Sequence, residues 1–163
     1  MIDVFAEIKK KQPDAELILV GTGPLEEKVR SKVADKGLTE SVQFLGNRKD
    51  MNRIYQAMDI FVFPSLFEGL GIVAIEAQAA GVPIVCSEGL PPETDITPIY
   101  RKLMLSDGAE KWAEAAIEMA QSSKAHTNMQ KYIIDAGFDM NATAKNMEEY
   151  YLEKEAQIRE KNK

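Results

Sequence analysis

Two glutamates eight residues apart, Glu68 and Glu76, stand in the stretch PSLFEGLGIVAIEAQAAGVP (residues 64–83), with Gly69 and Gly71 between them. The stretch follows the apolar run IFVF, and its second half is almost wholly apolar. It therefore reads as a turn that leaves the carboxyl end of a strand and enters a helix. Open parallel sheets bind ligands at that edge, where free backbone N–H groups meet anions and glycine lets a ligand approach the main chain. Glu76 falls about one and a half turns into the helix among apolar neighbours, where a carboxylate is costly unless it is paired or solvated. Its presence there points to a cleft. A carboxylate has two acceptor oxygens, a good match for a pair of vicinal hydroxyls such as a ribose or hexose presents, and Glu68 at the mouth of the helix can serve a second ring. The same residues admit a plainer reading, because a glutamate near a helix N-terminus is electrostatically favoured and glycine-rich strand-to-helix turns are common.

The elements that must position these residues follow a strand, crossover helix, parallel strand rhythm. Residues 3–11 read as the later part of an amphipathic helix, with Val4, Phe5 and Ile8 on one face and a stop near Pro13. Strands are expected at 16–20, 42–45, 60–63, 82–86 and, last and short, 102–105. Helices are expected at 25–36, 50–58, 72–80, 107–121, 124–136 and 141–161, with Asn141 as the cap of the final one. IFVF, continuous and rich in β-branched and aromatic residues, suits a strand covered on both faces. Between 87 and 101, Pro91, Pro92 and Pro98 disfavour helix and argue for a long loop with a positioning role. The charged end from Glu153 to Lys163 is expected to fray. A parallel α/β unit normally opens on a strand, whereas this chain opens in a helix, so the expected first strand and the loop after it are missing and the chain reads as a fragment.

Bulk properties narrow the possibilities. The 163 residues, 45% of them hydrophobic, suffice for one domain with a single core, divided here into an α/β core (1–106) and a helical tail (107–163). A net charge of −6, with Lys and Arg scattered among acids, argues against nucleic acid as a partner. One cysteine, Cys86, and one histidine, His126, make neither a disulfide nor a Cys/His metal cluster, so no metal is expected, and Cys86 reads as a small buried hydrophobe. No apolar run reaches membrane-spanning length and no secretory signal opens the chain, which places it in the cytoplasm.

The pair in FEGLG and EAQAAGVP, together with LILVGTGP (17–24), VQFLG (42–46) and MDIFVFPSLFEGLG (58–71) in this order and spacing, resembles the retaining glycosyltransferases of family four. These enzymes have the GT-B fold and include exopolysaccharide and lipopolysaccharide sugar transferases. The resemblance covers residues 3–86 and weakens in the helical tail. It implies a Rossmann-like parallel sheet covered by helices, the donor-binding C-terminal domain of such an enzyme. It also implies transfer of a hexosyl unit from a nucleotide diphosphate sugar, a UDP or GDP sugar, with retention at the anomeric carbon and with no cofactor.

By the same resemblance Glu76 bonds the ribose hydroxyls and Glu68 contacts the transferred sugar. The amides of Gly69, Leu70 and Gly71 approach sugar hydroxyls and phosphate, and the turn at Asn47 and Arg48 is where the base meets backbone groups. Arg48 also reads as ordinary solvated surface, Gly21 and Gly23 as a structural turn, and Glu93 as a solvated loop residue. The family's Arg and Lys for the donor pyrophosphate would precede Met1, as would the acceptor domain, so the chain alone is expected to be inactive. A chain exposing that face is also expected to self-associate. Residues 87–112 depart from the usual glycine-bearing pattern and look like the exopolysaccharide-type variant. Membrane attachment, peripheral at the inner face of the plasma membrane, would belong to the absent domain. A non-catalytic subunit docking a separate acceptor chain, or a fragment of a GT-B-type sugar-nucleotide epimerase, are the alternatives; His126 in the helical tail is a poor proton-abstracting base for the latter.

Overall fold

Apolar residues at helical spacing make α1 (Ile2–Lys11) two-faced, and the computed structural model, which describes residues 1–122 and 126–161, shows both faces in use. Ile2 and Phe5 pack with Val33, Leu38 and Val42, while Val4 packs with Val85, Trp112, Ala113 and Ala116. The first set belongs to β1 (Leu17–Val20), α2 (Glu26–Asp35) and β2 (Val42–Gly46) or to their connections. The second belongs to a unit made of α3 (Met51–Tyr55), β3 (Phe61–Phe63), α4 (Ile72–Ala79), β4 (Ile84–Ser87), β5 (Tyr100–Leu103) and α5 (Gly108–Ser122). α1 thus joins two halves through side-chain packing.

All strand pairing is parallel, as expected for an α/β fold with helices between strands. β1 pairs with β2 from Leu17↔Val42 onward, and β3, β4 and β5 pair in that order, with Phe61↔Ile84 and Ile84↔Tyr100 in register. The hydrogen-bonded sheet is in two pieces where a single sheet was expected, because no strand among the described residues pairs with the free edges of β1 and β3. β4 is central, and Ile84, Val85, Cys86 and Ser87 are all fully buried. Burial on both faces explains its continuous apolar run. Cys86 is the small buried residue expected, and burial pushes its thiol up to about 11.

Several assignments differ from the sequence reading: the helix expected at 50–58 ends at Tyr55, the strand expected at 82–86 is Ile84–Ser87, and later elements shift more. β5 starts at Tyr100, since Tyr100 and Arg101 pair with Ile84 and Val85. α5, assigned to the tail, belongs to the core: Trp112, Ala113 and Ala116 are buried and the Trp112 indole donates to the Met104 carbonyl at 3.0 Å. The helix expected at 124–136 is the short α6 (Gln130–Asp135); residues 123–125 lie outside the described residues, and His126 at φ 63° bonds Gly81 in a turn. α7 runs Met140–Lys161, and Asp139 caps it, its Oδ1 accepting from the Ala142 N–H at 2.7 Å. Asn141, the expected cap, lies inside the helix, and every residue from 141 to 159 is exposed. The expected fraying concerns the end of α7, which continues to Lys161; residues 162–163 lie outside the described residues.

Candidate functional site

β3 ends at Phe63, and the turn that follows is held from below by the connection leaving β4. The Ser87 hydroxyl donates to the Ser65 carbonyl, and the Glu68 N–H donates to the Gly89 carbonyl at 3.3 Å. A side chain at Gly89 would place its Cβ 2.5 Å from the Leu66 carbonyl oxygen, so only glycine permits this contact. Above this floor Leu66 and Phe67 are 85% and 83% exposed. The Ser65 hydroxyl lies 2.8 Å from Glu68 Oε1 and orients that carboxylate, which is half-buried. A side chain's Cβ at Gly69 would meet nothing within 4 Å, Leu70 is exposed, and Gly71 caps α4 in the left-handed region at φ 68°. The position needs glycine for its backbone angle and not for space, since its added Cβ would meet Leu90 no closer than 3.5 Å.

α4 has one buried and one open face. Ala74, Ile75, Ala77 and Gln78 are buried, whereas Ile72, Glu76 and Ala79 are exposed. Glu76 is therefore not a carboxylate in apolar surroundings, as its neighbours in sequence suggested: the helix turns it to solvent, where an ionised carboxylate carries little desolvation cost. Its Oε2 accepts a hydrogen bond from the Tyr55 hydroxyl at 3.0 Å. Tyr55, from α3, is itself 2% exposed, with its ring edge-on to Phe61, so the phenol is a fixed post beside the glutamate. Burial first, and then the Glu76 carboxylate, push that phenol well above its ordinary range, so it stays a donor. Glu76 is left with Oε1 and the remaining lone pair of Oε2 for other donors. Neither Glu68 nor Glu76 is in an ion pair among the described residues.

The sequence reading missed Tyr55. It lies 21 residues before Glu76 on another helix, and its only local signal was an aromatic residue on an apolar helical face.

Asn47 and Arg48 follow β2, away from this strand–turn–helix unit in the chain. The loops after β1 and β2 meet: the Gly21 N–H donates to the Gly46 carbonyl at 2.8 Å and the Thr22 hydroxyl lies 3.5 Å from Asn47 Oδ1. Arg48 forms a two-pronged pair with Asp50, at 2.8 Å from Nε and 2.7 Å from the terminal nitrogen. The arginine's pKa rises and Asp50 is held below the usual carboxylate range, each chiefly by the hydrogen bond to the other. The guanidinium is thus engaged locally, in keeping with its reading as surface. A cavity of about 580 Å³ opens beside the β1 loop, with Met1, Val20, Gly21, Pro24 and Leu25 in its wall. Glu93 is exposed on its loop. Among the described residues no group of three or more His, Cys, Asp and Glu is placed to hold a metal ion, and no helix is long and apolar enough to cross a membrane.

Parallel strands alternating with helices, a glycine turn after β3 and a helical C-terminal tail define an α/β domain similar to those of GT-B glycosyltransferases. The family profile described as Glycosyl transferases group 1 matches residues 1–136, and the chain belongs to that family. Among similar proteins, putative glycosyltransferase EpsF of Bacillus subtilis is 30% identical over 125 residues, which is 76% of this chain and 33% of that protein. A GDP-mannose-dependent monoacylated alpha-(1-6)-phosphatidylinositol monomannoside mannosyltransferase of Corynebacterium glutamicum is 35% identical over 129 residues, 73% of this chain and 33% of that protein. The structure of HepE from Anabaena in complex with UDP-glucose superposes with a TM-score of 0.76 at 22% identity, covering 93% of this chain and 44% of that one. The chain spans about a third of the length of these two curated relatives.

Proposed function

We propose that this chain is the donor-binding half of a retaining hexosyltransferase that uses a UDP or GDP sugar to build a polysaccharide or glycolipid. In this reading Glu76 takes the ribose hydroxyls, Glu68 takes the sugar, and the amides of Gly69, Leu70 and Gly71 serve sugar hydroxyls and phosphate. The base lies at Asn47 and Arg48. The observation that carries it is the presentation of the two glutamates. Each carboxylate is oriented by a hydroxyl, Tyr55 for Glu76 and Ser65 for Glu68, and neither pairs with a cation among the described residues, so both keep acceptor capacity for incoming hydroxyls. The relatives' names add direction: one mannosyltransferase uses GDP-mannose and the superposed HepE holds UDP-glucose. The exopolysaccharide type is the one that residues 87–112 resemble among these enzymes. The acceptor-binding half, and with it turnover and any peripheral membrane contact, is assigned to sequence outside these residues. The donor is a substrate, and no resident cofactor or metal enters the scheme.

The test is an NMR titration of the isolated chain with UDP and with GDP. Amides of Gly46–Arg48 and Gly69–Glu76 should move. A hydrogen bond to a charged group contributes about 1.5–3 kcal/mol, so Glu76→Ala should weaken nucleotide binding by about ten- to a hundredfold. Binding undiminished in Glu76→Ala would show the ribose assignment to be wrong.

A further inference from the structure

Gln78 stands two residues after Glu76 on α4 and so faces the opposite way, fully buried while Glu76 is open. Its amide has two donors and two acceptor sites, and all are met. Nε2 donates to the Ala74 carbonyl at 3.0 Å and to the Thr94 carbonyl at 2.8 Å. Oε1 accepts from the Thr97 N–H at 3.2 Å and the Thr97 hydroxyl at 2.8 Å. Three of the four bonds reach the proline-bearing connection between β4 and β5. Thr94 and Thr97 are buried with it, at 0% and 5% exposure.

The near end of the same connection is the floor beneath the glutamate turn. Gly89 accepts from the Glu68 N–H and lies too close to Leu66 for any side chain, and Leu90 packs beneath Gly71 in the cluster with Ala74, Ile84 and Cys86. A buried amide gains little net stability over an apolar side chain of equal length, and it leaves costly unsatisfied groups if its partners shift. What it adds is a fixed register between helix and loop. We infer that Gln78 is a positioning residue: it latches the β4–β5 connection to α4, and that connection sets the height and orientation of the turn carrying Glu68 and its three amides. Gln78 touches no ligand itself. The role rests on the donor-binding reading, in which Glu68 contacts the sugar and Glu76 the ribose.

That division of labour makes the latch testable apart from folding. In the whole chain, Gln78→Met keeps the length and removes all four bonds, and Thr97→Val keeps the loop's volume and removes one. The readout is the affinity gained by adding the sugar, measured as the ratio of Kd for UDP to Kd for UDP-glucose, and likewise for GDP and GDP-mannose. The latch predicts that this ratio falls at least fivefold in Gln78→Met, and less in Thr97→Val, while Kd for the bare nucleotide stays within twofold. A loss of both affinities in parallel, or an unchanged ratio, overturns it. Hydrogen exchange reads the latch without any nucleotide: protection of the Glu68 amide, bonded to the Gly89 carbonyl, and of the Leu90, Thr94 and Asp95 amides should drop in either variant while β3 and β4 keep theirs. If wild type binds neither nucleotide, the donor reading fails and exchange alone decides the latch, unchanged protection at the Glu68 amide overturning it. Should Gln78→Met fail to fold, Thr97→Val carries both measurements.

Discussion

At the residue scale the most consequential contact is one hydroxyl on one carboxylate. Tyr55 gives its single proton to Glu76 Oε2 at 3.0 Å, the shorter of two contacts, the other being the Val73 carbonyl at 3.3 Å. Tyr55→Phe removes that donor and leaves the ring packed on Phe61. Because Glu76 is exposed, water replaces the lost bond and stability should change little, by less than about 1 kcal/mol. Orientation is what is lost, so nucleotide affinity should fall by roughly three- to tenfold, the equivalent of one partly compensated hydrogen bond. Isothermal titration with UDP beside a thermal melt separates the two effects; a large drop in Tm with unchanged affinity would make Tyr55 a core residue only. Legibility in the sequence divides along the same line. Glu68, Gly69, Gly71 and Glu76 were readable because they are consecutive features of one strand–turn–helix unit. Tyr55, Ser65, Gly89 and Gln78, which hold that unit in place, act across turns and between elements, and no local periodicity encodes a partner 16 to 22 residues away. Glu76 was placed on the right element for the wrong reason, since apolar neighbours in sequence lie around the helix and not around the side chain.

At the scale of elements, order and type followed from alternation of apolar runs with helical periodicity, whereas boundaries shifted where a tertiary contact set them. β5 begins two residues early because β4 offers it a partner, and α7 is capped by Asp139 because its carboxylate, and not the amide of Asn141, reaches an unpaired N–H. Between α1 and α2 ion pairs flank the apolar packing: Asp3 pairs with Lys32 and, at 3.0 Å, with Lys36. Hydrogen bonds from Lys32 first and Lys36 next hold the Asp3 carboxyl below its ordinary value. A carboxylate whose folded-state pKa is depressed contributes stability above its unfolded value, near 3.8, and loses it as pH falls through the lower folded value. The Asp3 side chain is 48% exposed, so solvent screening limits the pair to under about 1 kcal/mol. Asp3→Asn should therefore lower Tm slightly at pH 7, with the difference from wild type shrinking in high salt and fading as pH falls below 3.8 through the lowered folded-state value. A difference of the same size at pH 7 and pH 2 would mean that the residue acts through helix capping or packing and not through its charge.

For the whole molecule the unusual feature is how much apolar side chain the folded chain leaves uncovered. α7, 22 residues and about 33 Å long, leaves every residue from 141 to 159 exposed. Met140, Met147, Tyr151 and Ile158, spaced 7, 4 and 7 residues apart, share one helical face and are 54–82% exposed. Leu66, Phe67 and Ile72 add a second uncovered group beside the glutamate turn, and β1 and β3 each keep an unpaired edge among the described residues. Contiguous apolar surface of this kind drives association when nothing else covers it. The full chain should therefore self-associate with rising concentration, seen by light scattering as a mass above 18.2 kDa. Ending the chain at Met140 removes three of the stripe's four residues and, among the described residues, no buried side chain, so it should weaken association and leave Tm within about 2 °C. A full chain that stays monomeric at high concentration would show that these exposed residues are too dispersed to form an adhesive surface. A truncated chain that melts far lower would place α7 among the elements that stabilise the fold, against the exposure of every residue from 141 to 159.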